Sequence, residues 1–282
     1  MKLIECPRDA MQGLAHFVPT ALKIEYLNAL LQVGFDTLDF GSFVSPRAIP
    51  QLRDTADVLA ELDLSGTTTK LLAIVANLRG AEDALRHPVI QYVGFPLSVS
   101  ETFQQRNTNK SIAQAVEEVR AIQNQCEGAG RELVVYLSMG FGNPYGDPYS
   151  PALVGDMTAQ LVDLGVRIVA PSDTVGSATP EAIQALFSHL IPAFPELEFG
   201  AHLHASPGQA PAKIRAAVRA GVRRIDGALH GFGGCPMATD QLTGNLPTEE
   251  IIQTLIAEGI ALRINQHALQ EAMRLSTAVF LV

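Results

Sequence analysis

Eight strand-like segments alternate with helix-like ones along 282 residues, and that alternation predicts an α/β fold with a parallel sheet. Eight βα units in about 250 residues is the count of a closed (β/α)8 TIM barrel. An open doubly wound sheet is the rival, but no Gly-x-Gly-x-x-Gly follows the first strand-like segment. No linker or charge run divides the chain, so residues 1–282 read as one domain.

Each element has a local reason. Strands are expected at 3–6, 37–41, 71–75, 90–95, 133–138, 167–170, 197–204 and 223–226, short apolar runs bounded by turn-forming residues. Thr20 is suited to cap the first long helix, whose stripe is Ile24, Leu27, Leu30 and Leu31 and whose stop is Gly34. Ser150-Pro151 opens another, with Leu153, Met157 and Leu161 on one face and an end near Gly165. Thr179-Pro180-Glu181 repeats the cap-then-proline start. A helix, a glycine, then a branched or aromatic residue and a strand recur at Gly34-Phe35, Gly165-Val166 and Gly221-Val222. Each glycine suits the left-handed turn that ends a helix.

Composition bounds the function. With 47% apolar and 17% charged residues, the chain has the means to bury a large core. A net charge of -9 argues against nucleic acid or an anionic membrane as a partner, while leaving room for a local basic pocket. Cys6, Cys126 and Cys235 are odd in number and widely spaced, so neither a disulfide framework nor a thiolate zinc site is expected. A reducing, cytoplasmic setting fits. No run approaches the roughly 18 apolar residues of a membrane span, and neither a signal nor a transit peptide is expected at the start.

The unusual loops, 7–20, 42–51, 138–150 and 227–245, all follow strands, and in a barrel such loops gather at the C-terminal face where active sites lie. Asp9 follows the first strand, Asp39 ends the second, Asp173 follows the sixth, His202 and His204 end the seventh, and Asn245 follows the eighth. Convergence at one mouth is therefore expected. Alternate residues of a strand share a face, so His202 and His204 point together. Taken alone, a His-x-His fits a hydrogen-bonded surface pair equally well. Asp9, His202, His204 and Asn245 together offer two imidazoles, a carboxylate and an amide oxygen. That set suits one Mg²⁺ or Mn²⁺ ion completed by a chelating, anionic substrate, with Zn²⁺ as the rival. Arg8 is suited to hold a developing oxyanion, although Arg8-Asp9 alone reads as a surface ion pair.

Several motifs carry a family resemblance. Pro7-Arg8-Asp9-Ala10-Met11-Gln12 resembles the Pro-Arg-Asp-Gly-Leu-Gln start of the hydroxymethylglutaryl-CoA lyases. Ser42-Phe43-Val44-Ser45-Pro46, Ser172-Asp173-Thr174, His202-Leu203-His204, Gly231-Phe232-Gly233-Gly234-Cys235-Pro236 and Gly244-Asn245-Leu246 follow in the matching order, so the resemblance spans essentially the whole chain. It implies a metal-dependent barrel enzyme that breaks a carbon–carbon bond next to an acyl-CoA, with Asp9, His202, His204 and Asn245 on the cation. It implies that Arg8 stabilises the enolate of the departing acetyl-CoA and that Cys235 exchanges a proton with the enolate carbon, helped by Asp173 and Glu249. Asp39 joins this catalytic group; Gln12, Ser42 and Asn109 are expected to contact substrate. On their own flanks, Asp173 and Glu249 read equally as helix caps, and a free cysteine is usually a small buried hydrophobe, though two glycines and a proline around Cys235 speak against a core position.

Departures from the family pattern concern the lining. Ala10 stands for a Gly, Ala205 for an acid after the second His, Asp39 for a Glu, Arg47-Ala48 for a Lys-Trp-like pair, and Ser206-Pro207-Gly208 for Thr-Tyr-Gly. Ala48 and Ala205 are expected to enlarge and neutralise the region near the metal and to admit longer or less polar 3-hydroxyacyl-CoAs. The leading expectation is a lyase cleaving 3-hydroxy-3-methylglutaryl-CoA or a related 3-hydroxyacyl-CoA to acetyl-CoA and a keto acid, acetoacetate. A same-fold condensing acyltransferase or metal aldolase, and a non-catalytic metabolite-binding barrel, are the alternatives. A homodimer is the assembly carried forward.

Overall fold

Four short strands, β1 (Lys2–Glu5), β2 (Thr37–Ser42), β3 (Lys70–Ile74) and β4 (Ile90–Ser98), are followed by β5 (Glu132–Ser138), β6 (Ile168–Pro171), β7 (Glu198–Ala201) and β8 (Arg224–Gly227). In the computed structural model, which describes residues 1–234 and 243–281, each pairs in parallel with the next. Strand β8 closes on β1 in the register Ile4↔Asp226, completing the barrel. All eight strands fall where the sequence places them, within a few residues.

The helices around the barrel are α1 (Pro7–Gln12), α2 (Thr20–Leu31), α3 (Thr55–Ala60), α4 (Leu78–Leu85), α5 (Glu101–Thr108) and α6 (Ile112–Gly128). They continue as α7 (Pro151–Asp163), α8 (Pro180–Ala193), α9 (Ala210–Arg219), α10 (Thr248–Ala257) and α11 (Gln266–Phe280). Ser150 and Thr179 cap α7 and α8 as expected, accepting from the N–H of Leu153 and Ala182, with a proline at the first helical position of each. Gly34, Gly165 and Gly221 all take positive φ, at 93°, 86° and 106°, where they turn a helix into the next strand. Among the described residues no helix is long and apolar enough to cross a membrane.

Three expectations need correction. The stretch 7–20 is not all loop, because Pro7 at the first helical position nucleates α1 directly after β1. Thr20 is not the cap of α2: Pro19 holds that place, and the Thr20 hydroxyl donates to Asp54 at 2.8 Å instead. Strand β7 ends at Ala201, short of the histidines. Beyond it, His202 makes an isolated bridge to Ser172 and His204 one to Asn245, since the chain leaves the sheet to meet neighbouring loops.

Two apolar clusters hold the fold. The larger lies between strands and helices and includes Leu27 and Leu30 of α2, Val119 and Ile122 of α6, and Ile183 and Leu186 of α8. The smaller, with Leu72, Ile74, Val134, Tyr136, Ile168 and Ala170, fills the barrel interior from alternate strand positions. Helix α11 returns over the start of the chain, and its Phe280 stacks on Phe232 with centroids 4.6 Å apart. That contact anchors the loop after β8 beside the mouth.

Candidate active site

The first helix turns the polar side chains of its motif inward. Its Pro7–Met11 segment is buried, and Arg8 and Asp9 are each 7% exposed. Arg8 donates from Nη2 to Asp39 Oδ2 at 2.5 Å and from Nε to both Asp39 oxygens at 3.1 Å, a fork that locks the guanidinium plane. From Nη1 it donates to Asp9 Oδ1 and Gln12 Oε1, both at 3.0 Å. Burial works against the Asp9 anion, but Arg8 and the two histidines outweigh it and hold the carboxyl below its ordinary range. Asp39 differs: burial pushes it up to about 6 even against Arg8, with Asp9 and Asp226 adding negative charge nearby.

The two histidines converge on Asp9, with imidazole centroids 5.3 Å apart. His202 Nδ1 lies 3.1 Å from Asp226 Oδ2, and His204 Nδ1 lies 3.2 Å from the Thr174 carbonyl. A carbonyl only accepts, so His204 carries its proton on Nδ1 and presents a lone pair on Nε2. That Nε2 is buried and has no protein partner among the described residues. Burial, and then His202 beside it, lower His204 to about 4, keeping the ring neutral at physiological pH. Burial also acts to lower His202, but the hydrogen bond and charge of Asp226 raise it above the ordinary value.

One ligand atom from each of Asp9, His202 and His204 lies within 4.8 Å of the others, a group able to hold a metal ion. The orphaned Nε2 and the outer acceptors on both Nδ1 atoms are what metal-binding histidines require. Asn245 stands beside this group. It donates from Nδ2 to Asp9 Oδ2 at 2.8 Å and to the Phe232 carbonyl at 2.9 Å. A second grouping, Cys6 with His202 and Asp226, shares His202. There Asp226 already occupies Nδ1, and burial pushes the Cys6 thiol up, which disfavours a thiolate ligand.

A cavity of about 340 Å³ opens over this group. Arg8, Asp9, Gln12, Ser138, His202 and His204 form its polar side, and Val44, Ala48, Ile49, Ile74, Pro96 and Phe103 its apolar side. Gln12 and Ser42, expected to contact substrate, line the cavity. Asn109 does not: it is the exposed, left-handed end of α5, and its neighbours Asn107 and Thr108 line the cavity instead. Of the two alanines expected to widen the metal region, Ala48 lines the cavity, whereas Ala205 is buried in the outer core.

Asp173 and Glu249 stand apart from the cavity. Asp173 is 1% exposed and has both oxygens engaged, one by Ala178 N–H at 3.1 Å and one by Lys213 at 2.8 Å. Lys213 spends its other hydrogens on the Gly176 and His204 carbonyls. Glu249, in the first turn of α10, accepts from the His230 N–H at 3.1 Å. Cys235 lies outside the described residues. The described part of its loop reaches the site: Gly233, at φ 92°, packs so closely on α1 that a Cβ there would stand 2.7 Å from Ala10 Cα. Sequence reasoning missed Asp226, Tyr136 and Ser138, although strand alternation from Arg224 and from Val134 puts them on the interior face.

A family model described as HMGL-like matches residues 3–276. The chain belongs to the HMGL-like family. Hydroxymethylglutaryl-CoA lyase YngG of Bacillus subtilis is 32% identical over 249 residues, covering 88% of this chain and 82% of the relative. The solved HMG-CoA lyase of Brucella melitensis superposes with a TM-score of 0.92 at 29% identity, covering 100% of this chain and 99% of that one. An HMG-CoA lyase of Acinetobacter baumannii, solved with coenzyme A and 3-methylmalate, gives 0.91 at 30% identity, over 99% and 91%. Within this family the chain is a lyase.

Proposed function

We propose that this chain, as one barrel domain over residues 1–282, cleaves 3-hydroxy-3-methylglutaryl-CoA, or a related 3-hydroxyacyl-CoA, to acetyl-CoA and a keto acid such as acetoacetate. The observation that carries the reading is the buried Nε2 of His204, unpartnered among the described residues and facing Asp9 and His202 in a cavity of ligand size. The proposed ligands are Asp9, His202, His204 and Asn245 through its amide oxygen, and the proposed ion is Mg²⁺ or Mn²⁺. When bound, the ion supplies Lewis acidity that lowers the cost of deprotonating the substrate's C3 hydroxyl.

The chain's own residues do the rest. The C3 hydroxyl proton leaves to solvent water, C3 becomes the keto carbon as the C2–C3 bond breaks, and the bond's electron pair is left shared by C2 and the thioester oxygen. Arg8 meets that oxygen: Asp39, Asp9 and Gln12 engage its Nε, its Nη1 and one Nη2 hydrogen, leaving the second Nη2 hydrogen for substrate. Cys235 returns a proton to C2. Asp173 acts indirectly, through the Lys213 bridge that holds the His204 backbone. Glu249 supports the His230 turn of the same loop. The apolar side around Ala48, Ile49 and Phe103 supports a longer or less polar acyl chain as an accepted substrate. A cytoplasmic setting belongs to the same proposal.

The test is an assay of purified protein with Mg²⁺ or Mn²⁺ and a panel of 3-hydroxyacyl-CoAs. Expected is metal-dependent release of acetyl-CoA, abolished by chelation and slowed ~10²–10⁴-fold in Cys235→Ser. No release from any member of the panel overturns the proposal, and wild-type turnover in Cys235→Ser removes the thiol from it.

A further inference from the structure

A buried arginine occupies the barrel interior, where branched aliphatic side chains are the rule. Arg224 is completely buried on β8, two residues from Asp226, so both side chains face inward. Gly200 on the adjacent β7 makes room for its stem, since a Cβ there would stand 3.1 Å from Arg224 Cδ. One end of the guanidinium, Nη1, reaches Glu198 at 3.4 Å, and its carbon lies 5.5 Å from the Tyr92 ring centroid. Its Nε and Nη2 have no protein partner among the described residues, and neither do the Tyr136 hydroxyl and Asp226 Oδ1.

These four atoms are chemically complementary. Arg224 only donates, Asp226 accepts, and a tyrosine hydroxyl does both, a set that bridging water satisfies. The second oxygen of Asp226 is the one on His202 Nδ1, and the Tyr136 ring stands edge-on to His202 with centroids 5.5 Å apart. A buried cation thus backs the carboxylate that orients a histidine of the metal group.

We propose that Arg224 is a positioning residue: through Asp226 and bridging water it holds the His202 ring in the tautomer and orientation that direct Nε2 to the ion. The proposal rests on the reading of His202 as a ligand. Asp226 shares the interior with Asp39, and the Arg224 guanidinium, two residues below it on the same face of β8, is a cation set against that charge. Outer partners of metal-bound histidines govern affinity by ~10–100-fold.

Full-length Arg224→Met and Arg224→Lys are compared with wild type, together with Arg224→Met/Glu198→Gln, which also neutralises the other partner so that the fold is kept. Two readouts are taken: Mn²⁺ affinity by calorimetry, and ring ¹⁵N resonances of the histidines in metal-free protein. Expected are a ~10–100-fold loss of Mn²⁺ affinity in both methionine variants and a shift of the His202 ring resonances away from their wild-type positions, with both restored by lysine. Unchanged affinity and unchanged His202 resonances in the double variant overturn the proposal, whatever happens to its melting temperature. If wild type binds no Mn²⁺, the ligand reading fails, while the ring resonances still decide whether Arg224 sets the His202 tautomer.

Discussion

Two buried ion-pair clusters flank the His202–His204 pair, and they are organised in opposite ways. Arg8 and Asp9 are laid across the mouth by α1 and line the cavity, with Asp39 of β2 buried behind Arg8. Lys213, with Asp173, approaches from α9 behind the strand ends, and neither residue lines the cavity. Every Lys213 ammonium hydrogen has a protein acceptor, on Asp173, Gly176 and His204. The comparison teaches that a carboxylate beyond a strand end is open to a ligand only when its partner leaves it lining the cavity. Glu5 adds a third arrangement, a wholly buried carboxyl whose hydrogen-bond partners are the Leu229 N–H and the Thr248 hydroxyl rather than a cation.

The largest expected effect tests the structural side of this contrast. Lys213→Met leaves Asp173 buried without its cation, and breaking such a pair costs about 3–5 kcal/mol. Urea unfolding followed by circular dichroism measures it. A loss below about 1 kcal/mol would mean that Asp173 finds other partners easily, and the distinction between the clusters would collapse.

The next effect falls on turnover. Arg8→Lys keeps a charge but loses the planar fork, and one lost oxyanion donor is worth ~10²–10³ in rate. The unfolding midpoint is expected to move less than in Lys213→Met. Wild-type turnover in Arg8→Lys would place Arg8 with Lys213 as a structural cation.

The smallest effect per step of the variable comes from pH. Burial pushes Glu5 up to about 8 from an ordinary 4.5, against its two hydrogen bonds. Between those values the folded chain keeps a proton that the unfolded chain releases, so this group's contribution falls as pH rises from 4.5 to 8. The limiting slope is about 1.4 kcal/mol per pH unit for one proton. Glu5→Gln carries no such proton, so the stability difference between wild type and variant should drift across that window. A flat difference would show that Glu5 is ionised in the folded chain and paired in a way that the contrast with Asp9 does not allow.

Much of the site was legible before folding was considered. Asp9, His202 and His204 meet because strand ends one and seven share the barrel mouth, and the alternation of His-x-His turns both rings one way. Asn245 joins them through an antiparallel bridge to His204 that no local pattern announces. Asn109 carried a polar side chain in the right region, but the left-handed end of α5 turns it to solvent, and Asn107, within the helix, reaches the cavity. Asp173 looked catalytic by its motif, because a sequence motif does not reveal that a lysine 40 residues on engages one of its oxygens and a backbone N–H the other.

The sequence by itself determined the order of strands and helices, the caps at Ser150 and Thr179, the glycine turns, and the residue types gathered at the C-terminal face. Those follow from local periodicity and backbone sterics, which act over a few residues. Only the tertiary structure decided which group backs each of them: Asp226 behind His202, the Thr174 carbonyl behind His204, Asp39 beside Arg8, and Arg224 beneath Asp226. The barrel brings neighbouring strand ends within hydrogen-bond reach whatever their distance along the chain. The field at each side chain is then set by burial and by partners that no local spacing encodes.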